Sequence, residues 1–293
     1  MTTIAILSDI HGNMTAFSAV IQDAKAHQVD EYWFLGDLFL PGPGSDKLWA
    51  TLQGLKPTHI VKGNWDDDLF WVLDGPVDLS QPTDVYFSRL VAYLWPHLTA
   101  ENLATIRNWP LHEVFEQDGL IVSLAHNLPD KNHGHALYPD QPQLNFDQIA
   151  PDSQIDLAVY GHTHQQLLRY TSNGQVILNP GSIGQAYSPR PHLQTTTYAD
   201  YALLQLNDGA ITDLDLRQVP YDVSAELSLA KQQQLPYPEV YTKLRHTGAT
   251  STHNAAYLKQ FEQRHDYQQE VDGDICAEIQ QLPVGNRGAV RIV

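Results

Sequence analysis

Apolar residues occur in short runs along this chain, and each early run ends at a polar residue capable of chemistry. Ile4-Ala5-Ile6-Leu7-Ser8 reads as a buried strand that stops at Asp9. Asn13 stands where a helix N-cap belongs. From Met14 to His27 the residues Ala16, Phe17, Val20, Ile21 and Ala24 recur at steps of three and four, the stripe of a helix lying on a sheet. The unit repeats: Tyr32 to Leu35 runs into Gly36-Asp37, a helix is predicted from Asp46 to Gly54, and Thr58 to Lys62 runs into Gly63-Asn64. Strands alternating with helices imply an α/β fold with parallel pairing, and ligands of such sheets gather beyond the carboxyl ends of the strands. Three polar loops should therefore meet at one edge.

Residues 66–109 read as mainly helical, with Thr99 capping a helix that stops near Pro110. Leu111 to Phe115 and Leu120 to Ala125 flank Gln117-Asp118-Gly119 as a hairpin. The stretch 127–145, rich in Asn, Pro, His and Gly, is long enough to predict a lid or substrate loop. Leu157 to Tyr160 is another buried strand and delivers Gly161-His162-Thr163-His164. Further β-runs over 166–171, 175–178, 201–206 and 210–219 suggest that the second half builds its own sheet. From Asp222 the texture turns helical and Gln-rich. This predicts a domain over 1–221 and a helical extension over 222–293 packed on it, whose stretch from Thr250 onward would cap the fold, cover the site or mediate dimers. Oligomeric state stays open.

Charge narrows the partners. The chain carries 17 Lys and Arg against 34 Asp and Glu, a net −17, and residues 217–293 contribute only 8 basic and 9 acidic side chains to it. A body this acidic repels polyanions, which excludes a general nucleic-acid binder and requires local cations for any anionic substrate. Cys276 is the one cysteine, so disulfide frameworks and thiolate zinc sites fall away. No basic leader and no apolar run near membrane-spanning length is seen, so the expectation is a soluble, cytoplasmic protein with no membrane partner.

Seven polar residues follow the apolar runs: Asp9, His11, Asp37, Asn64, His126, His162 and His164. Singly, several have ordinary explanations, since Asp and His cap strands and Gly-Asp or Gly-Asn make turns. Jointly they form a sulfur-free set of carboxylate, amide and imidazole donors, suited to Mn²⁺, Fe²⁺ or Zn²⁺. Seven are too many for one tetrahedral ion. A bridging carboxylate would divide them between two ions with room left for water, as in two-metal hydrolases.

Ser8-Asp9-Ile10-His11-Gly12-Asn13, Gly36-Asp37, Gly63-Asn64-Trp65-Asp66, Ala125-His126, Gly161-His162-Thr163-His164 and Asn179-Pro180-Gly181-Ser182 together resemble the calcineurin-like metallophosphoesterase superfamily, and within it the small bacterial and archaeal phosphodiesterases. The resemblance implies a four-layer α/β/β/α sandwich of two mixed sheets flanked by helices. It implies a first ion on Asp9, His11 and His164, a second on Asn64, His126 and His162, and Asp37 bridging them. Asp37, Asn64 and His126 gain a catalytic part besides ligation. Manganese or iron would lead, with zinc or nickel as further choices, and a metal-bridging hydroxide would attack phosphorus in line.

One residue departs from the pattern. Many members of the superfamily carry a leaving-group His where this chain has Trp65, and indole cannot titrate. Either the leaving group needs little protonation or another group supplies the proton, with His133 and His135 as candidates. Trp65 would also offer a stacking face. Arg190, with Tyr187 and His192 beside it, is a candidate phosphate grip, ahead of Lys131 and Lys62. The resulting expectation is hydrolysis of a phosphodiester or phosphoanhydride of a small, anionic, nucleotide-like molecule, dinucleoside polyphosphates among them. The alternatives are a phosphomonoesterase, a serine/threonine protein phosphatase, or a non-catalytic binding scaffold like the retromer subunit of this fold.

Overall fold

The computed structural model describes residues 1–194 and 196–271. The predicted extension runs on to 293, and its part from 272, with Cys276, lies outside the described residues. The first half alternates as its periodicity implies: β1 (Thr2–Leu7), α1 (Met14–Ala26), β2 (Glu31–Phe34), α2 (Asp46–Leu55) and β3 (His59–Ile60). Three helices follow, α3 (Asn64–Asp74), α4 (Pro82–Leu94) and α5 (Ala100–Arg107), the last begun by Thr99, whose hydroxyl accepts from the Asn102 N–H. The hairpin β4 (His112–Gln117) and β5 (Leu120–Ala125) leads through a short α6 (Gln143–Phe146) to β6 (Leu157–Val159), β7 (Gln166–Tyr170) and β8 (Val176–Pro180). The chain closes with β9 (Tyr198–Asn207), β10 (Ala210–Pro220) and helices α7 (Val223–Gln232), α8 (Pro238–Thr247), α9 (Ala255–His265) and α10 (Tyr267–Glu270).

Two mixed five-stranded sheets result, ordered β10-β9-β1-β2-β3 and β4-β5-β6-β8-β7. Alternation along β1 sorts its side chains. Ile4 and Ile6 join Trp33, Leu204, Val122 and Val159 in a core between the sheets, while Ala5 and Leu7 face Phe17, Val20 and the other helices outside the first sheet. The outer face of the second sheet carries Ala158, Tyr160 and Ile177 against Leu128, Leu137 and Phe146.

The α/β/β/α expectation holds, and one expectation about its sheets is corrected. The second half does not keep all its strands in one sheet, because β9 returns to pair antiparallel with β1, Ile4 opposite Leu204, and takes β10 with it. The reason is burial: Ala202, Leu204 and Leu206 fill the inter-sheet core while Tyr201 and Leu203 fill the helical side, so β9 suits the interior of a sheet covered on both faces. Outside the second sheet the described helical pieces are α6 and one 3₁₀ turn, joined by loop. Residues 127–145 are pinned rather than free. Asn127 Nδ2 donates to the carbonyls of His133 and Gly134, and Asn132 Nδ2 to Gly63 O and Asp67.

After Asp222, whose carboxylate caps α7 through the Ala225 N–H, the helices pack on the first sheet's helical side, α7 on α1 and α9 on α4. Among the described residues no helix is long and apolar enough to cross a membrane.

Candidate metal centre

Every motif lies at the carboxyl end of a parallel strand. Asp9 and His11 follow β1, Asp37 follows β2, and Asn64 opens α3 just past β3; His126 follows β5, and His162 and His164 follow β6. The loops lock together through main-chain bonds, Asp9 N–H to Gly36 O, His11 N–H to Asp37 O and Gly161 N–H to His126 O. Gly36 has φ +91°, and a Cβ there would collide with the Gly63 backbone, so these two glycines let the loops after β2 and β3 touch.

The seven predicted residues converge. Asp9 Oδ1 lies 3.2 Å from His164 Nε2 and 3.8 Å from His11 Nε2, and the two imidazole nitrogens are 3.0 Å apart. Asp37 Oδ2 stands between the halves, 3.5 Å from His11 Nε2 and 3.4 Å from His126 Nε2. Beyond it Asn64 Oδ1 is 3.2 Å from His126 Nε2 and 2.9 Å from His162 Nδ1. Asp9, His11 and His164 form one group able to hold a cation, and Asp9, Asp37 and His126 another.

Tautomers explain why so many acceptors tolerate one another. His11 Nδ1 donates to Leu40 O at 2.8 Å, His126 Nδ1 to Leu35 O at 2.6 Å, and His162 Nε2 to Gly134 O at 3.0 Å. With these outer nitrogens engaged, each ring turns its other nitrogen inward, the arrangement in which a neutral histidine binds metal. Asp9 Oδ1 is fully buried with no hydrogen-bond partner. A buried carboxylate oxygen without a well-formed hydrogen bond, ringed by imidazole nitrogens, is stabilised by positive charge at its centre, so the residues fit a metal ion.

The electrostatics agree. Burial alone would raise both carboxyls, yet His164 and His126 beside Asp9 hold it well below the usual range, and His126 does the same for Asp37. Burial would lower His126, but Asp37 and Asp9 outweigh it and lift this imidazole to about 10, which shows that the cluster favours a positive charge there. Burial takes His11 to about 4, and burial with the neighbouring His126 takes His162 to about 3.

Several contributors escaped sequence reasoning. Asp66, quoted only as part of a motif, accepts from the backbone N–H groups of Asp37, Leu38 and Gly63, fixing the loop that carries Asp37. Asn179 Nδ2 donates to Gly161 O and Ser182 Oγ to Asp9 O, so Asn179-Pro180-Gly181-Ser182 braces two ligand loops. The carbonyls of Leu35, Leu40 and Gly134 carry no signal in sequence, because every residue has one.

A cavity of about 270 Å³ opens beside the centre. Trp65 and His133 line it, and so do His135, Tyr138 and, from the segment after α8, Thr250 and His253. That segment therefore covers the site in part. Arg190 is exposed on a turn and is not among the residues lining the cavity. His192 is exposed on the same turn, Lys131 is exposed, and Lys62 pairs with Asp67 at 2.7 Å. Tyr187 bonds through its N–H to His164 O, but its ring does not line the cavity.

Two mixed sheets face to face, flanked by helices and carrying a carboxylate–imidazole cluster beyond their parallel strands, define a metallophosphoesterase fold. The calcineurin-like phosphoesterase superfamily domain matches residues 2–209, and the chain belongs to that superfamily. It is 24% identical over 254 residues to an uncharacterized protein of Methanocaldococcus jannaschii, covering 80% of this chain and 93% of that one. A shorter match, 29% identical over 126 residues, covers 42% of this chain and 43% of the symmetrical bis(5'-nucleosyl)-tetraphosphatase of Serratia proteamaculans. Among solved structures, a hypothetical protein from Pyrococcus horikoshii superimposes with a TM-score of 0.69 at 19% identity, and a metallophosphoesterase from Sphaerobacter thermophilus with 0.63 at 23%. Each covers 85% of this chain and all of the other.

Proposed function

We propose that the chain is a metal-dependent phosphoesterase that hydrolyses a phosphodiester or phosphoanhydride of a small nucleotide-like substrate. The observation that carries this is the buried Asp9 Oδ1, without a well-formed hydrogen bond among imidazole nitrogens, with Asp37 within 3.5 Å of both His11 and His126. Asp9, His11 and His164 would hold one divalent ion, Asn64, His126 and His162 a second, and Asp37 would touch both. Such ions supply positive charge for the phosphate oxygens and bring the pKa of water towards neutrality. Manganese or iron fits the donor set best.

The chain's own residues do the rest. The backbone carbonyls of Leu35, Leu40 and Gly134 hold three imidazoles in the ligating tautomer. Asp66 fixes Asp37 through main-chain amides. Trp65 can neither give nor take a proton, so the leaving oxygen departs as the anion of a good acid or takes a proton from His133 at the cavity wall. The partial match to a bis(5'-nucleosyl)-tetraphosphatase supports the phosphoanhydride side of the reading.

The test is hydrolysis of bis-p-nitrophenyl phosphate against p-nitrophenyl phosphate, with Mn²⁺ and after chelation, alongside metal content by mass spectrometry. Two ions per chain and metal-dependent turnover favouring the diester are expected. Monoester preference would shift the assignment to a phosphomonoesterase or protein phosphatase. Stoichiometric metal without turnover of any phosphoester would overturn the enzymatic reading in favour of a scaffold.

A further inference from the structure

The cavity beside the metal centre is unusual in two independent respects. Among the described residues that line it there is neither Lys nor Arg. Two divalent ions against the carboxylates of Asp9 and Asp37 would leave two positive charges, and Asp68 is a further acidic residue of the lining. A polyphosphate brings several negative charges and is ordinarily met by a cluster of guanidinium and ammonium groups. A phosphodiester brings one.

The second respect is the wall. Asn64, Asp68 and Trp71 follow one another on α3 at steps of four and three, so they share a face that runs from the metal centre outwards. Seven residues of helix span about 10 Å, which sets Trp71 well beyond the reacting phosphorus. Phe87 of α4 joins this face, its ring 4.8 Å from that of Trp65 and 6.1 Å from that of Trp71, the latter edge-on at 84°. Trp65, Phe87 and Trp71 thus make a continuous aromatic strip from the metal ligands to the outer cavity. A flat ring one sugar away from phosphorus would lie on its outer part.

Resting on the phosphoesterase reading above, we infer that this cavity selects a singly charged phosphodiester bearing a nucleoside, its base stacked on Trp71 with Phe87 edge-on behind that ring, and selects against polyphosphates. Trp71 is then a specificity-determining residue.

The experiment compares two diesters with one leaving group, thymidine 5'-(p-nitrophenyl phosphate) and ethyl p-nitrophenyl phosphate, and adds diadenosine tetraphosphate. Stacking predicts a preference of about tenfold in kcat/KM for the nucleoside ester over the ethyl ester, read mainly in KM. Trp71→Leu, which keeps apolar bulk without a ring face, should bring that preference towards one, while Trp71→Phe should retain most of it. A preference unchanged in Trp71→Leu, or faster hydrolysis of diadenosine tetraphosphate than of either diester, overturns the inference.

Should no ester be turned over by the metal-loaded protein, tryptophan fluorescence during titration with the methyl ester of thymidine 5'-phosphate separates the two readings. Saturable quenching that Trp71→Leu abolishes keeps the nucleoside pocket and rejects only hydrolysis. The absence of saturable quenching rejects the pocket.

Discussion

Five of the seven centre residues, Asp9, His11, Asp37, His162 and His164, have φ between 50° and 64°, the left-handed region that costs a non-glycine residue roughly 1–2 kcal/mol. The order of these side chains was legible because each stands at a strand end, but their backbone strain was not, since it arises only when the loops interlock. Asp200 shows the same limit. It reads as one polar residue in an apolar run, yet it lies on β9 almost fully buried, accepting a bond from Gln218 Nε2, and burial pushes its carboxyl up to about 7. The folded state therefore holds this proton more tightly than the unfolded chain. Stability from Asp200 should fall as pH rises between the ordinary carboxylate value, about 4, and about 7. Asp200→Asn removes the titration. We expect the variant's melting temperature relative to the parent to rise from pH 5 to pH 8, measured by calorimetry at both pH values, and a constant difference between the two would reject the assignment.

At the scale of elements, periodicity located nearly every helix and strand but not the partners of the last hairpin. An apolar run such as 201–206 states that both faces are buried without saying against which sheet, and only the shared cores with β1 decide it. The loop 127–145 was legible as irregular but not as pinned, because Asn127 closes it on itself and the Asn132 bonds to Gly63 and Asp67 reach across the fold. Asn13 combines both cases. Its role as N-cap of α1 could be read, and its Oδ1 indeed accepts from the Ala16 N–H. Its Nδ2, however, also donates to Gly184 O and Tyr221 Oη, tying α1 to the loop after β8 and to the start of the C-terminal helices. Losing a cap costs about 1 kcal/mol, and unmaking buried hydrogen bonds adds about 1–3 kcal/mol. Asn13→Ala should lower unfolding free energy in urea by about 2–4 kcal/mol, and Asn13→Ser, which keeps the cap alone, by a smaller amount. Equal losses would mean that the side chain acts only as a cap.

For the whole molecule, the −17 charge and the buried centre make opposite demands on salt. Surface self-repulsion is relieved by any electrolyte and depends on ionic strength. The repulsion between Asp9 and Asp37 is sealed in a site where both are fully buried, out of reach of bulk electrolyte and offset by the neighbouring imidazoles or by an ion that enters the site. A ligand bound solely by the folded state at a hundred times its Kd stabilises by about 2.7 kcal/mol, which for a chain of this size raises Tm by roughly 5–10 °C. Manganese at millimolar concentration should therefore raise the melting temperature of the chelated protein by several degrees, whereas sodium chloride at matched ionic strength should give a much smaller rise. In Asp37→Asn the manganese increment should shrink to that of sodium chloride. The substitution removes the carboxylate within reach of both His11 and His126 but changes the net charge by only one, so generic screening would be nearly unaffected. An equal response of parent and variant to manganese would mean that the ion acts on the acidic surface, and the paired carboxylates would then need another account.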